Sequence, residues 1–243
     1  MSGASSSGGA GAPGRRPPGR LLLRSVTPLG EALTRRVVGD FEAGSLSAKA
    51  RGRRWKLFLQ TFPEVGEMTV LDVGGDVRAW RLAGVRPKHL VLLNIFPQEV
   101  EEEWITAVVG DACDPPADLP KPDLVYSNSV IEHVGGHARR LEFAKTVRAC
   151  DRYWVQTPSR SFPVEPHFMF PFLQHLPRSV QMSAVAHWPL GNYSDVKDRH
   201  EALPYLLDIE LLSAEEMRFY FPDAELHRER IAGLTKSFVA IKR

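Results

Sequence analysis

The sequence predicts an α/β fold: a doubly wound, mostly parallel sheet with helices on both faces and an antiparallel strand pair at the C-terminal end. Three observations carry this prediction. Four near-continuous apolar runs follow one another, over 68–73, 89–94, 106–109 and 123–128. Such runs are the pattern of parallel strands buried on both faces. Each opens into a polar loop, in turn Asp72-Val-Gly-Gly75, Asn94, Gly110-Asp-Ala112 and Ser127-Asn128. Helical spacing alternates with the strands, which implies a sheet flanked on both sides. In an open parallel sheet, polar groups at the carboxyl ends of strands line the ligand crevice. That geometry suits a nucleoside-containing cofactor.

The elements can be justified in chain order. After Met1, residues 2–19 are Gly, Ser, Ala and Pro with two adjacent arginines; residues 1–19 lack the apolar side chains that offset ordering entropy, so this tail is expected to be disordered. Residues 20–63 form a helical prelude, with helices expected over 31–38 and 47–62 and Pro63 ending the second. The prelude is either a lid over a ligand or a cap on one sheet face. The main domain occupies 64–243. After the first strand a short helix is expected over 77–83, and a longer one over 136–149. Residues 152–157 make the fifth strand, stopped by Pro158. An insertion over 158–204 is rich in Pro, His, Phe and Trp and breaks the rhythm, as functional loops do. Ser213 is placed to cap a helix through Tyr220, with Glu216 in capping-box position. Runs over 225–230 and 235–242 close the sheet as an antiparallel pair.

Composition narrows the classes. The 43% hydrophobic and 25% charged content is ordinary for one globular domain, and no apolar run approaches the ~20 residues needed to cross a bilayer. Cys113 and Cys150 form no disulfide framework, which fits a reducing cytoplasm. The net charge of +2 hides an asymmetry, +8 over residues 1–60 against −6 over the remainder. The cluster Arg51, Arg53, Arg54 and Lys56 reads as a solvated helix face rather than a nucleic-acid surface, since no aromatic interleaving accompanies it. Histidines are numerous, but no HExxH spacing or cysteine pair supports them. Gly135 and Gly136 also separate His133 from His137, so no metal is expected.

The order of these motifs resembles the class I S-adenosylmethionine-dependent methyltransferases, specifically the type 11 small-molecule branch, from about Arg54 onward. Leu71-Asp-Val-Gly-Gly75 resembles that superfamily's first motif, Gly110-Asp-Ala112 its adenine-side loop, and Asp123-Leu-Val-Tyr-Ser-Asn-Ser-Val-Ile-Glu-His-Val134 its fourth-strand motif. Two further blocks, Val155-Gln-Thr-Pro-Ser-Arg-Ser-Phe-Pro-Val-Glu-Pro-His-Phe168 and Gly233-Leu-Thr-Lys-Ser-Phe-Val-Ala240, are similar to a bacterial subgroup of that branch. The resemblance implies a Rossmann-like fold, S-adenosyl-L-methionine as cofactor and a small-molecule acceptor. It names no particular acceptor.

On that resemblance, Asp72 is expected to reach the cofactor's cationic amino acid moiety, with Gly74 and Gly75 admitting the backbone close to it. Asn94 stands where the superfamily has a ribose-binding acid; an amide still accepts and donates there. Asp111 and the Ala112 amide are placed to meet adenine, and Asn128 lies beside the methyl group. The chain departs from the pattern at Asp76-Val77-Arg78, where further glycines are usual. Two readings of His133 stand: a general base, or a residue packed under the cofactor. Glu165 and His167 lie on a proline-stiffened loop across from the cofactor, able to orient and deprotonate a hydroxyl or amine, or else to serve structure alone.

The expected function is methyl transfer to an oxygen or nitrogen by in-line displacement. Three alternatives remain: a non-catalytic binding partner of the same fold, a nucleic-acid methyltransferase, and a nicotinamide dehydrogenase. Ser127-Asn-Ser-Val130 is not the Asn/Asp-Pro-Pro-aromatic tetrapeptide of amino-methylating nucleic-acid enzymes, and Gly-x-Gly-x-x-Gly is absent after the first strand.

Overall fold

The computed structural model describes residues 46–243, so the expected tail and the helix over 31–38 lie outside the described residues. The first described helix, α1 (Leu46–Thr61), ends as the chain meets Pro63, whose ring disfavours helix in the residue before it. Arg54, Phe58 and Phe62 recur at every fourth position of this segment, so one stripe faces the sheet. On that stripe Phe58 packs edge-on to Trp154, Trp80 and Tyr126.

Strands β1 (Thr69–Val73), β2 (His89–Asn94), β3 (Ile105–Val109), β4 (Leu124–Asn128) and β5 (Tyr153–Pro158) are parallel. β8 (Glu225–Ile231) and β9 (Leu234–Lys242) close the sheet antiparallel, giving the order β3-β2-β1-β4-β5-β9-β8. β1 pairs with both β2 and β4, so the order reverses there and opens a crevice at the carboxyl ends of β1 and β4.

Alternate residues of each strand feed two cores. Val70, Leu90 and Leu92 join Phe58 and Trp80 on the α1 face, which also carries α2 (Val77–Ala83). Leu71, Val73 and Leu93 join Phe143, Val147 and Met217 on the other face, covered by α3 (Gly136–Arg148) and α6 (Ala214–Tyr220). The expected capping box is present: Ser213 Oγ accepts from the Glu216 amide and Glu216 accepts from the Ser213 amide. Ser213→Ala is expected to lower stability by about 1 kcal/mol in urea unfolding.

The stretch after β5 departs from the irregular loop expected. It carries a ribbon of β6 (Val164–Glu165) and β7 (Phe170–Pro171), then α4 (Arg178–His187) and α5 (Ala202–Asp208). Its core of Phe168, Leu173, Met182, Val185, Val196 and Leu206 is separate from the other two. The proline-rich composition hid a helical spacing at Met182, Val185 and Ala186. Phe168 packs against Tyr193 and Phe170 edge-on to Trp188, while Phe172 is exposed. No described helix is long and apolar enough to cross a membrane.

Candidate functional site

The turn after β1 is built around Asp72, which is 2% exposed. Its Oδ2 accepts from Trp80 Nε1 at 2.7 Å, while Oδ1 has no partner among the described residues. Burial pushes its pKa from 3.8 up to about 7; the Trp80 bond works against this and the Asp76 charge adds to it. Gly74 holds φ +78°, and its amide donates to Leu93 O at 2.7 Å. A Cβ on Gly75 would lie 1.8 Å from Asp72 Oδ2, so the carboxylate occupies the space any other residue would need. Gly75→Ala is therefore expected to cost about 2 kcal/mol by overpacking, read as a shift in the urea midpoint.

The neighbouring strand ends are hydrogen-bonded into this turn. Asn94 Nδ2 and Gln98 Nε2 both donate to Gly75 O, at 3.0 and 2.7 Å. Asn94 Oδ1 accepts from the Phe96 amide, and Gln98 Oε1 from the Val77 amide. Asp111, at the end of β3, accepts from Arg139 at 2.5 Å and from the Cys113 amide at 2.9 Å. Desolvation opposes its ionisation, but these two donors outweigh it and hold the carboxyl below its usual range. Ala112 is buried in the α3-side core. Asn128 Oδ1 accepts from Arg54 Nη1 at 2.6 Å.

Arg54 is not part of a solvated face. Its Nε and Nη2 grip Glu229 at 2.9 and 2.7 Å, with side-chain exposures of 10% and 16% for the pair. Glu229 also accepts from Ser237 and sits at the bulge in β8–β9. Desolvation works to raise its pKa, but the charge and hydrogen bonds of Arg54, with Ser237, hold it below its usual value. The pair thus ties α1 to the strand ends beside Asn128.

Just beyond β4, the fold brings together His133, Glu165 and His167. His133 ends a 3-10 turn over Ile131–His133, immediately after β4. Glu165, 3% exposed on β6, accepts from the Phe168 amide through Oε2 and pairs with His167 Nδ1 through Oε1, both at 2.7 Å. His167 Nε2 lies 3.1 Å from His133 Nε2, with the rings perpendicular. Desolvation lowers the His133 pKa although the residue keeps solvent contact; His167 adds to this, and Glu132 and Glu165 oppose it. Gly191 at φ +90° passes within 2.5 Å (Cβ position) of the Phe168 backbone, and the Asn192 amide donates to His167 O. Only glycine permits that approach, which anchors the backbone under His167. Glu132, fully buried, accepts from Thr157 Oγ1 at 2.9 Å through Oε2 and leaves Oε1 without a partner among the described residues. A cavity of about 180 Å³ lies beyond Glu165, lined by Arg160, Phe168, Leu173, Arg178 and Gln181 among others.

No protein-family model matches the sequence, and no curated protein matches it. Solved structures do. An S-adenosylmethionine-dependent methyltransferase from Mesorhizobium loti aligns with a TM-score of 0.50 and 12% identity, over 78% of this chain and 97% of that one. The fold is that of the S-adenosylmethionine-dependent methyltransferases. A possible exported protein of Bordetella parapertussis also aligns with a TM-score of 0.50, at 16% identity over 92% of this chain and 76% of that one.

Within this methyltransferase fold, Asp72, Gly74, Gly75, Asn94, Asp111 and Asn128 all stand at carboxyl ends of β1 to β4, as the sequence implied. Four partners were missed: Trp80, Gln98, Arg139 and Arg54. Arg54 alone had a legible signal, its place on the same fourth-residue stripe as Phe58 and Phe62. The other three are brought in by the fold. The expectation of no metal rested on spacing along the chain, and the fold gathers Glu132, His133 and His167 across a separation of 34 residues between the histidines.

Proposed function

We propose that this chain is an S-adenosylmethionine-dependent methyltransferase acting on an oxygen or nitrogen of a small molecule. The observation that carries the reading is the glycine turn over buried Asp72, at the crevice between β1 and β4, with a carboxylate–imidazole pair against His133 just after β4. The residues fit the cofactor at two points. Asp72 Oδ1 is a buried acceptor without a partner among the described residues, suited to an ammonium group. Asp111 presents a partly exposed carboxylate at the β3 end, suited to the adenine amine. When bound, S-adenosylmethionine supplies a sulfonium-activated methyl group, which passes to the acceptor as its bond to sulfur breaks.

The chain's own residues then have orientation and proton handling to perform. Glu165 holds His167 by Nδ1, which directs Nε2 toward His133. The pair of Nε2 atoms at the solvent edge takes up the proton that an acceptor hydroxyl or amine gives up. The cavity beyond Glu165 is smaller than the ~300 Å³ typical of ligand pockets, so it suits one end of an acceptor rather than the cofactor. Arg160 and Arg178 at its wall favour an acceptor with an anionic group there. The burial of Arg54 removes one charge from the basic cluster and weighs against nucleic acid as the acceptor. Two free thiols suit a cytoplasmic location.

A second reading, a binding protein of this fold without catalysis, draws on the way Asn94, Asp111 and Asn128 are each engaged by protein partners. Variants separate the two. Asp111→Ala is expected to weaken S-adenosylhomocysteine binding about tenfold with only a small fall in melting temperature from the lost Arg139 and Cys113 bonds, and Asp72→Asn to weaken binding further. Unchanged affinity in both variants would remove the cofactor assignment. His167→Ala is expected to keep that affinity while lowering turnover of any acceptor found, and normal turnover would leave the loop a purely structural part.

A further inference from the structure

We infer that Glu132, His133 and His167 form a binding site for a divalent first-row transition-metal cation. The three offer one carboxylate oxygen and two imidazole nitrogens that all lie within 4.8 Å of one another. Two imidazoles and one carboxylate with open positions suit zinc, iron(II), cobalt or manganese rather than magnesium or calcium.

Four features go beyond mere proximity. The two Nε2 atoms point at each other across 3.1 Å. That matches the edge between neighbouring ligands around an ion with metal–nitrogen bonds of about 2.1 Å. His167 is held at Nδ1 by the buried carboxylate of Glu165, the outer partner that fixes the tautomer so that the Nε2 lone pair is available. Glu132 is fully buried and partnered on one oxygen by Thr157, yet its other oxygen has no donor among the described residues. A buried carboxylate oxygen left without a donor is costly unless a cation or another donor meets it. His133 keeps solvent contact, so the site has an entry path and room for an exogenous ligand.

The inference stands on these residues whether or not the chain transfers methyl groups. Where it does, the inference deepens the proposed function. The two Nε2 atoms would then hold the cation, which would lower the pKa of an acceptor hydroxyl or amine so that its proton leaves to solvent rather than to the imidazoles.

The test uses the full chain, stripped with a chelator and dialysed. Cobalt(II) is titrated and followed by its visible absorption, and zinc and manganese are titrated by calorimetry, all beside a parallel S-adenosylhomocysteine titration. One equivalent of at least one ion is expected to bind. His133→Ala and His167→Ala should each weaken it at least a hundredfold, and Glu165→Gln ten- to a hundredfold, the range for outer-shell partners. His137→Ala should change nothing, because His137 bonds Tyr220 instead. Glu132→Gln tests the third ligand; should that buried variant fail to fold, the exposed His133 variant still decides. Absence of binding, or equal affinity in His133→Ala and His167→Ala, overturns the inference. Cofactor binding without metal binding overturns it alone, whereas metal binding without cofactor binding sinks only the methyltransferase reading.

Discussion

Arg54→Met is expected to destabilise the protein by about 3 kcal/mol, read as a lowered urea midpoint. The guanidinium makes two hydrogen bonds to Glu229 and one to Asn128, in a position where both charged side chains are largely shielded. Removing one partner of a buried pair leaves the other charge uncompensated, which typically costs about 3–5 kcal/mol. The residual exposure of Glu229 argues for the lower end. Glu229 would then be left with Ser237 and a pKa no longer held down by the arginine. Combining Arg54→Met with Glu229→Gln is expected to recover most of the loss, because the stranded charge is gone. A single-variant loss below about 1 kcal/mol would mean that the pair is solvated, like ordinary surface ion pairs.

The second large effect is a dependence of stability on pH that traces to Asp72. Unfolded, its carboxyl titrates at the ordinary 3.8; folded, burial raises this to about 7. Between those values the folded chain holds a proton that the unfolded chain has released. Its contribution is therefore fully present below pH 3.8, falls as pH rises toward 7, and is lost above. At ~1.4 kcal/mol per unit the full excursion is on the order of 4 kcal/mol. Asp72→Asn keeps an acceptor for Trp80 and abolishes the titration. Its stability is expected to vary much less between pH 4 and 7, and to exceed that of the parent at pH 8 by about 2–4 kcal/mol. Parallel curves for the two proteins would place the ionised carboxylate in a solvated setting. A cationic ligand beside Asp72 would favour the ionised form, so binding should release a proton and tighten as pH rises through 7.

Most of the sheet was legible because its strands are uniformly apolar and their ends punctuated. The runs ending at Val73, Asn94 and Asn128 became β1, β2 and β4 with little adjustment. The closing pair was legible from its turn and alternation, and the Ser213 cap from a local rule that needs no tertiary partner. The segment between β5 and α6 was hard to read, because its prolines and aromatics are loop signals, whereas Pro177 opens the helix Arg178–His187, Pro204 lies in the first turn of the next, and Phe168 with Phe170 and Tyr193 fills a small core. Site residues were legible by position, since polar groups at strand ends converge in any parallel sheet. Their partners were not. Trp80 bonds Asp72 from eight residues away, Arg139 bonds Asp111 across 28, and Arg54 reaches Glu229 across 175. Charge counting treated Arg54 as surface because it cannot know which face of a helix meets the sheet. The histidine cluster escaped for the same reason: residue spacing detects metal sites carried on one helix, not sites shared between a strand end and a distant ribbon.

The most direct test of the central claim is calorimetric titration of the full chain with S-adenosylmethionine and then with S-adenosylhomocysteine at pH 8, where Asp72 is ionised. Saturable one-to-one binding of both is expected, tighter at pH 8 than at pH 6, with a proton released on binding at pH 6 that is not released in Asp72→Asn. Heat of dilution alone for both compounds would contradict it, leaving a chain with the methyltransferase fold but without that cofactor.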